Sequence, residues 1–119
     1  MAAPNIVNVT TIIGKTAVAN VSTVATDIIT NSGSSNKVFK INSLIVSNID
    51  GSSAADITAS VYRSSIEYKL ASTVTVPADA SLIVVSKDTA LYLEESDSIR
   101  LTARANGDLQ AVCSYEEIS

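Results

Sequence analysis

Along most of the chain, apolar and polar residues alternate with a period of two, and short clusters of small polar residues interrupt the alternation. Such a period puts successive side chains on opposite faces of a pleated strand, so it predicts β-strands. It is clearest near the C-terminus. Ile99, Leu101 and Ala103 alternate with Ser98, Arg100, Thr102 and Arg104, and Leu109, Ala111, Cys113 and Tyr115 alternate with Gln110, Val112 and Ser114. Asn106-Gly107 lies between them, the pair favoured by type I′ turns. Residues 97–118 are therefore predicted to form a β-hairpin.

The same pattern places further strands upstream. Residues 24–30 form one, interrupted by Asp27, and residues 31–36 are a loop of serine, asparagine and glycine. Residues 38–49 form the longest, with Phe39, Ile41 and Ile45 on one side. The run Leu44-Ile45-Val46 is apolar on both phases, which suggests a central strand or one covered on its second face. After a turn at residues 50–53, Ile57, Ala59 and Val61 point inward while Thr58, Ser60 and Tyr62 point outward. A short Ser64-Ser65 turn leads to a partner strand with Ile66, Tyr68 and Leu70 on one face and Glu67 and Lys69 on the other. Pro77 ends the strand over residues 74–76, because proline cannot donate to a ladder. Residues 79–85 admit a short helix, but their β-branched content favours a strand. Leu91 and Leu93 bracket Tyr92 in another strand, and Glu94-Glu95-Ser96-Asp97 is an acidic turn.

Residues 6–21 are rich in Val, Ile and Thr. They read either as two short strands around a turn at Gly14 or as an extended arm that pairs with a neighbouring subunit. The organisation expected is a β-rich arm or edge strands over residues 1–22, followed by a domain over residues 23–119. That domain is expected to be all-β: a two-sheet antiparallel β-sandwich, jelly-roll-like, of about eight short strands.

Composition narrows the chemistry. The 119 residues fit one domain. The net charge of -4 and the scattered lysines and arginines give no basic footprint for nucleic acid. Apolar runs of a few residues are too short for a helical membrane span, and the first residues lack the pattern of a signal peptide. Synthesis and retention in a cytoplasm are expected until something releases the protein. There is no histidine, which removes Ser-His-Asp and Cys-His nucleophile systems and histidine metal sites. Cys113 is the only cysteine, so it has no intrachain disulfide partner and reads as a small buried hydrophobe. Paired carboxylates at Glu94, Glu95 and Asp97, or at Glu116 and Glu117, could serve glycoside hydrolysis. Such enzymes use a sugar-binding cleft usually lined with aromatics, and the chain has no tryptophan and one phenylalanine, so solvated turns are the ordinary reading. Calcium at Asp50 or at the acidic turn is a minor reading without EF-hand spacing. Tyr62, on a polar phase, is a candidate exposed ring, whereas Tyr68, Tyr92 and Tyr115 read as partly buried. No catalytic residue, cofactor or metal site is assigned.

The remaining candidate is apolar surface itself. Residues 44–46 and 82–85 carry more apolar side chains than a small two-layer domain needs, and the N-terminal segment has no charge before Lys15. An unguarded edge of this kind tends to pair with another chain. Ile6, Val7, Val9, Ile12 and Ile13 are the expected contacts, by strand addition, with Tyr62 as a further contact.

Three strings carry a resemblance: Val76-Pro77-Ala78-Asp79-Ala80-Ser81-Leu82; Ala90-Leu91-Tyr92-Leu93-Glu94-Glu95-Ser96-Asp97-Ser98-Ile99; and Ala111-Val112-Cys113-Ser114-Tyr115-Glu116-Glu117-Ile118. Together they resemble small virion structural proteins of tailed bacteriophages, notably marine and cyanobacterial ones. Residues 74–119 carry it clearly, the rest loosely. Ser96 stands where those proteins commonly have glycine. The resemblance implies a non-enzymatic virion component. A capsid decoration or cement protein comes first, and a tail, neck or baseplate component second. It also implies a homo-oligomer, trimers included, in contact with a major capsid protein or other virion proteins.

Overall fold

The computed structural model describes residues 11–119. Among these described residues, nine strands form two antiparallel sheets: β1 (Ile12–Asn20), β2 (Thr26–Thr30), β3 (Val38–Asn48), β4 (Ala55–Arg63), β5 (Ile66–Val76), β6 (Ser81–Val85), β7 (Leu91–Leu93), β8 (Ser98–Ala103) and β9 (Leu109–Ile118). One sheet has the order β1-β9-β3-β6, with β7 also on β3, and the other has β2-β8-β4-β5. Without β7, the pairing is nested: β1 with β9, β2 with β8, β3 with β6, and β4 with β5. That is a jelly roll, a long folded ribbon wrapped around one core. The all-β sandwich expected from the alternation is the observed architecture.

The core is the meeting of two inner faces. Ile41, Leu44, Leu93, Leu109 and Cys113 from the first sheet, and Ile57, Ala59 and Ile99 from the second, are fully buried. β3 is central, flanked by β9 on one side and by β6 and β7 on the other, which accounts for its two-sided apolar run. Its phase changes midway. Asn42 is an extra residue opposite β9, so Phe39 and Ile41 share the inner face with Leu44 and Val46, and Ile45 lies on the outer face. A β-bulge of this kind resets the alternation, and a count of two from Ile41 to Ile45 misses it.

Two other expectations are overturned. Gly14 lies inside a single uninterrupted strand, β1, rather than in a turn. Residues 97–118 are not a hairpin, because β8 and β9 belong to different sheets. Both strands have one apolar face, and alternation cannot say whether two such faces lie side by side or across a core. The five residues between Ala103 and Leu109 cross the roughly 10 Å gap between sheets. In the crossing, Asn106 Oδ1 accepts a hydrogen bond from the Thr23 amide at 2.9 Å. Gly107 has φ of 85°, whereas Asn106 is not left-handed, so the pair does not form a type I′ turn.

Two buried asparagines close other crossings. Asn31 donates to the carbonyls of Lys37 and Leu93 at 2.9 and 3.1 Å. Asn48 donates to those of Ser53 and Val76 at 2.9 and 3.0 Å. Buried backbone carbonyls need such partners.

The tight hairpin is β4–β5, through Ser64 and Ser65, whose φ values are 53° and 63°. Two left-handed residues define a type I′ turn, which favours Asn-Gly. Serine holds that conformation at a cost of roughly 1 kcal/mol per residue. The double substitution Ser64→Asn, Ser65→Gly is expected to raise unfolding free energy by about 1 kcal/mol in urea titrations, with the fold unchanged. A loss of stability would show that these side chains make contacts the turn requires.

Candidate functional site

The outer face of the five-stranded sheet has an unusual composition. Register places Val18 of β1, Val112 of β9, Ile45 of β3 and Ile83 of β6 in one row across four strands. Val18 is 72% exposed, Ile83 62% and Val112 42%. A row of Thr16, Ser114 and Ser43 borders it on one side, and a row of Asn20, Gln110, Ser47 and Ser81 on the other. These polar side chains bond to one another: Ser43 with Ser114 at 2.8 Å, Ser47 with Ser81 at 2.9 Å, and Gln110 donating to Asn20 at 3.0 Å. None of the residues in the three rows is ionisable. Charge returns only at the next row, with Glu116 opposite Lys40.

The opposite outer face contrasts with it. Arg100 pairs with Asp27 at 3.0 Å and stacks 3.6 Å above the ring of Tyr62. Glu67 accepts from Ser60 at 3.1 Å and from Lys69 at 3.0 Å. Charges on this sheet are paired within it, along β5 or between β2 and β8, and Tyr62 is half-buried beneath a guanidinium rather than presented as a bare ring.

The acidic turn is structural as well. Asp97 is buried rather than solvated; it accepts from the Glu94 amide at 2.8 Å and from Arg63 Nε at 2.9 Å. Glu95 accepts from the Asn36 amide at 2.7 Å. Ser96 takes φ of 72°, the left-handed conformation that glycine adopts without strain. These carboxylates therefore hold the turn and the loop over residues 31–37 together. Glu117, also buried, pairs with Lys15 at 2.8 Å and Lys37 at 3.1 Å. Burial pushes the Cys113 thiol up to about 12, the opposite of activation. Among the described residues no group of three or more His, Cys, Asp or Glu could hold a metal ion.

One open groove, of about 340 Å³, lies where β5 and β7 face each other at the side of the sandwich. Val61, Arg63, Tyr68, Leu91 and Tyr92 line it. Tyr68 and Tyr92 are exposed there, not partly buried as expected.

Of the residues expected to make contacts, Ile6, Val7 and Val9 lie outside the described residues. Ile12 and Ile13 are exposed on β1, opposite Ile118 and Glu117 of β9. Tyr62 is on the other sheet, so the structure does not bring it together with them. The uncharged row escaped sequence reading as a unit because its members come from four separate strands. Its trace was visible as apolar residues on the polar phase, Val112 above all.

No known family profile matches the chain, and no curated protein matches it. Among solved structures, the chain is similar to one from the acidic stable capsid of Helicobacter pylori bacteriophage KHP30. The TM-score is 0.57 at 5% identity, over 94% of this chain and 90% of that one. It is also similar to a chain from Bacillus endospore appendages, described as a novel family of disulfide-linked pili. There the TM-score is 0.53 at 14% identity, over 92% of this chain and 88% of that one. At such identities the likeness is one of fold. Neither neighbour is from a marine or cyanobacterial phage.

Glu117 gives a pH signature. Its hydrogen bond to Lys15, and then that to Lys37, lowers its carboxyl below the ordinary 4.5, against the opposing effect of burial. A depressed folded value stabilises above the unfolded pKa, and that stabilisation is lost as pH falls through the folded value. Glu117→Gln should therefore lower stability at neutral pH and flatten the decline below about pH 4.5. Denaturant titrations from pH 7 to pH 3 check this. An acid limb as steep as the unmodified protein's would contradict the assignment.

Proposed function

We propose that the chain is a non-enzymatic structural subunit of a phage particle, a capsid decoration or cement protein whose uncharged sheet face lies against the shell. The observation that carries this reading is the Val18–Val112–Ile45–Ile83 row, exposed at Val18, Val112 and Ile83, half-buried at Ile45, and bordered by hydroxyl and amide groups. Such a face can be desolvated cheaply: its polar side chains already bond to each other, and it has no charge to strip of water. Strands about 4.8 Å apart give a patch on the order of 500 Å². A standard interface takes roughly 800 Å² per partner, so a single copy would bind weakly. Retention on a shell then comes from several linked copies acting together. The jelly-roll fold, the phage-like strings and the capsid chain of similar fold support the setting.

A tail, neck or baseplate position would use the same face. A glycan-binding role is the second reading, favoured by the exposed rings of Tyr68 and Tyr92 in one groove. The test is to locate and count the protein in purified particles, and to add recombinant protein to particles lacking it. Many copies on the head are expected. A Val112→Asp, Ile83→Asp variant should fold normally and bind at least about tenfold more weakly, from the cost of bringing a charge to an apolar contact. Unchanged binding by this variant, or a few copies at the tail, would replace the decoration reading.

A further inference from the structure

The two sheets have four edges, and three of them are blunted against pairing. β2 has five residues and a register break between Asp27 and Ile29. β5 has two register breaks and a left-handed Thr73, and carries Glu67 and Lys69. The edge opposite β1 is divided between β6 and the three-residue β7, with a 3-10 turn over Lys87–Thr89 between them. Short strands, bulges and charges are the usual defences of an edge. β1 has none of these. It runs nine residues in unbroken register. Its one charged side chain, Lys15, lies on the inner face, tied to Glu117.

Backbone parity shows what this edge offers. Thr11 and Ser119 exchange both backbone hydrogen bonds at 2.9 Å, and the Val21 amide donates to Leu109. In an antiparallel pair, residues alternate between facing the partner strand and facing away. Odd-numbered residues of β1 thus face β9. The amides and carbonyls of Ile12, Gly14, Thr16, Val18 and Asn20 point to the open side, where no described strand pairs with them.

We propose that this edge binds β1 of a second copy, antiparallel, on a two-fold axis through Thr16. The register follows from the strand. Only pairings of even with even residues satisfy the parity, and centring on Thr16 engages all five outward residues: Thr16 with Thr16 of the partner subunit, Gly14 with Val18, and Ile12 with Asn20. Each pair exchanges two backbone hydrogen bonds. Gly14, around which a Cβ would meet nothing within 4 Å, receives the exposed Val18 side chain. The two five-stranded sheets become one ten-stranded sheet. Because the axis is perpendicular to that sheet, both uncharged faces point the same way, giving a combined patch on the order of 1,000 Å². The pairing is independent of a role in a particle: a dimer that ignores particles would overturn the preceding proposal and leave this one standing.

Sedimentation of the full chain tests it. The unmodified protein is expected to be a dimer at micromolar concentration. Thr16→Pro removes only an outward-facing amide, so it should give a folded monomer with little change in thermal stability. Gly14→Lys, which fits the single chain and restores an edge lysine, should weaken dimerisation roughly tenfold or more. Thr16→Cys should form an intermolecular disulfide on mild oxidation; the unmodified protein, with Cys113 buried, should not. An unmodified monomer overturns the proposal, and protected even-numbered amides in it would show the edge covered by the chain's own first ten residues. So does an oligomer indifferent to both Thr16→Pro and Gly14→Lys. Cross-linking through Val18→Cys but not Thr16→Cys overturns the register.

Discussion

Every part of this molecule depends on two sheets burying each other's inner faces. Ile41, Leu44, Leu93 and Leu109 meet Ile57 and Ile99 with no exposed surface left on any of them. Each such side chain contributes about 1.5–3 kcal/mol on leaving water. With one phenylalanine and no tryptophan, the chain fills this layer mainly with leucine, isoleucine, valine and alanine. That layer fixes the crossings at both ends, and the crossings explain the buried Asn31, Asn48 and Asp97. Wherever the chain leaves one sheet for the other, backbone groups lose their ladder partners and a side chain takes over. Among the described residues no buried side-chain nitrogen or oxygen lacks a partner.

Strand identity was legible in the sequence; strand pairing was legible only for β4 and β5, which the short Ser64-Ser65 turn joins. Alternation gave the strands over residues 38–49, 56–63 and 109–118 because burial of one face demands it. It could not distinguish neighbours in a sheet from partners across a core, which is why β8 and β9 looked like a hairpin. Asn42 and Leu70 are extra residues in their ladders, and a period-two count is blind to such insertions until the opposing strand is known. Asp97 looked like a turn residue open to water, since nothing local reveals that Arg63, 34 positions away, reaches it. The uncharged face was hidden for the same reason: Val18, Val112, Ile45 and Ile83 become one row only through long-range register.

The two outer faces divide the surface by chemistry. One holds arginine, aspartate, glutamate and lysine already paired with one another, and such exposed pairs add little to stability. The other is neutral and greasy along its midline. The three rows about that midline carry none of the chain's charged side chains, which leaves one broad side open to contact. The proposed attachment would use the neutral side and leave the charged side to water.

The nested order has a consequence for biosynthesis. β9 lies between β1 and β3, yet of the nine described strands it is made last. Until it emerges, β1 has no neighbour in its own sheet and β3 is bare along one side. The five-stranded sheet can therefore close only once residues 109–118 have emerged, and its non-local pairing makes that closure slow. Crowded polysomes would hold several such half-built sheets close together, each exposing bare strand edges to the next chain, a hazard that chaperones exist to limit.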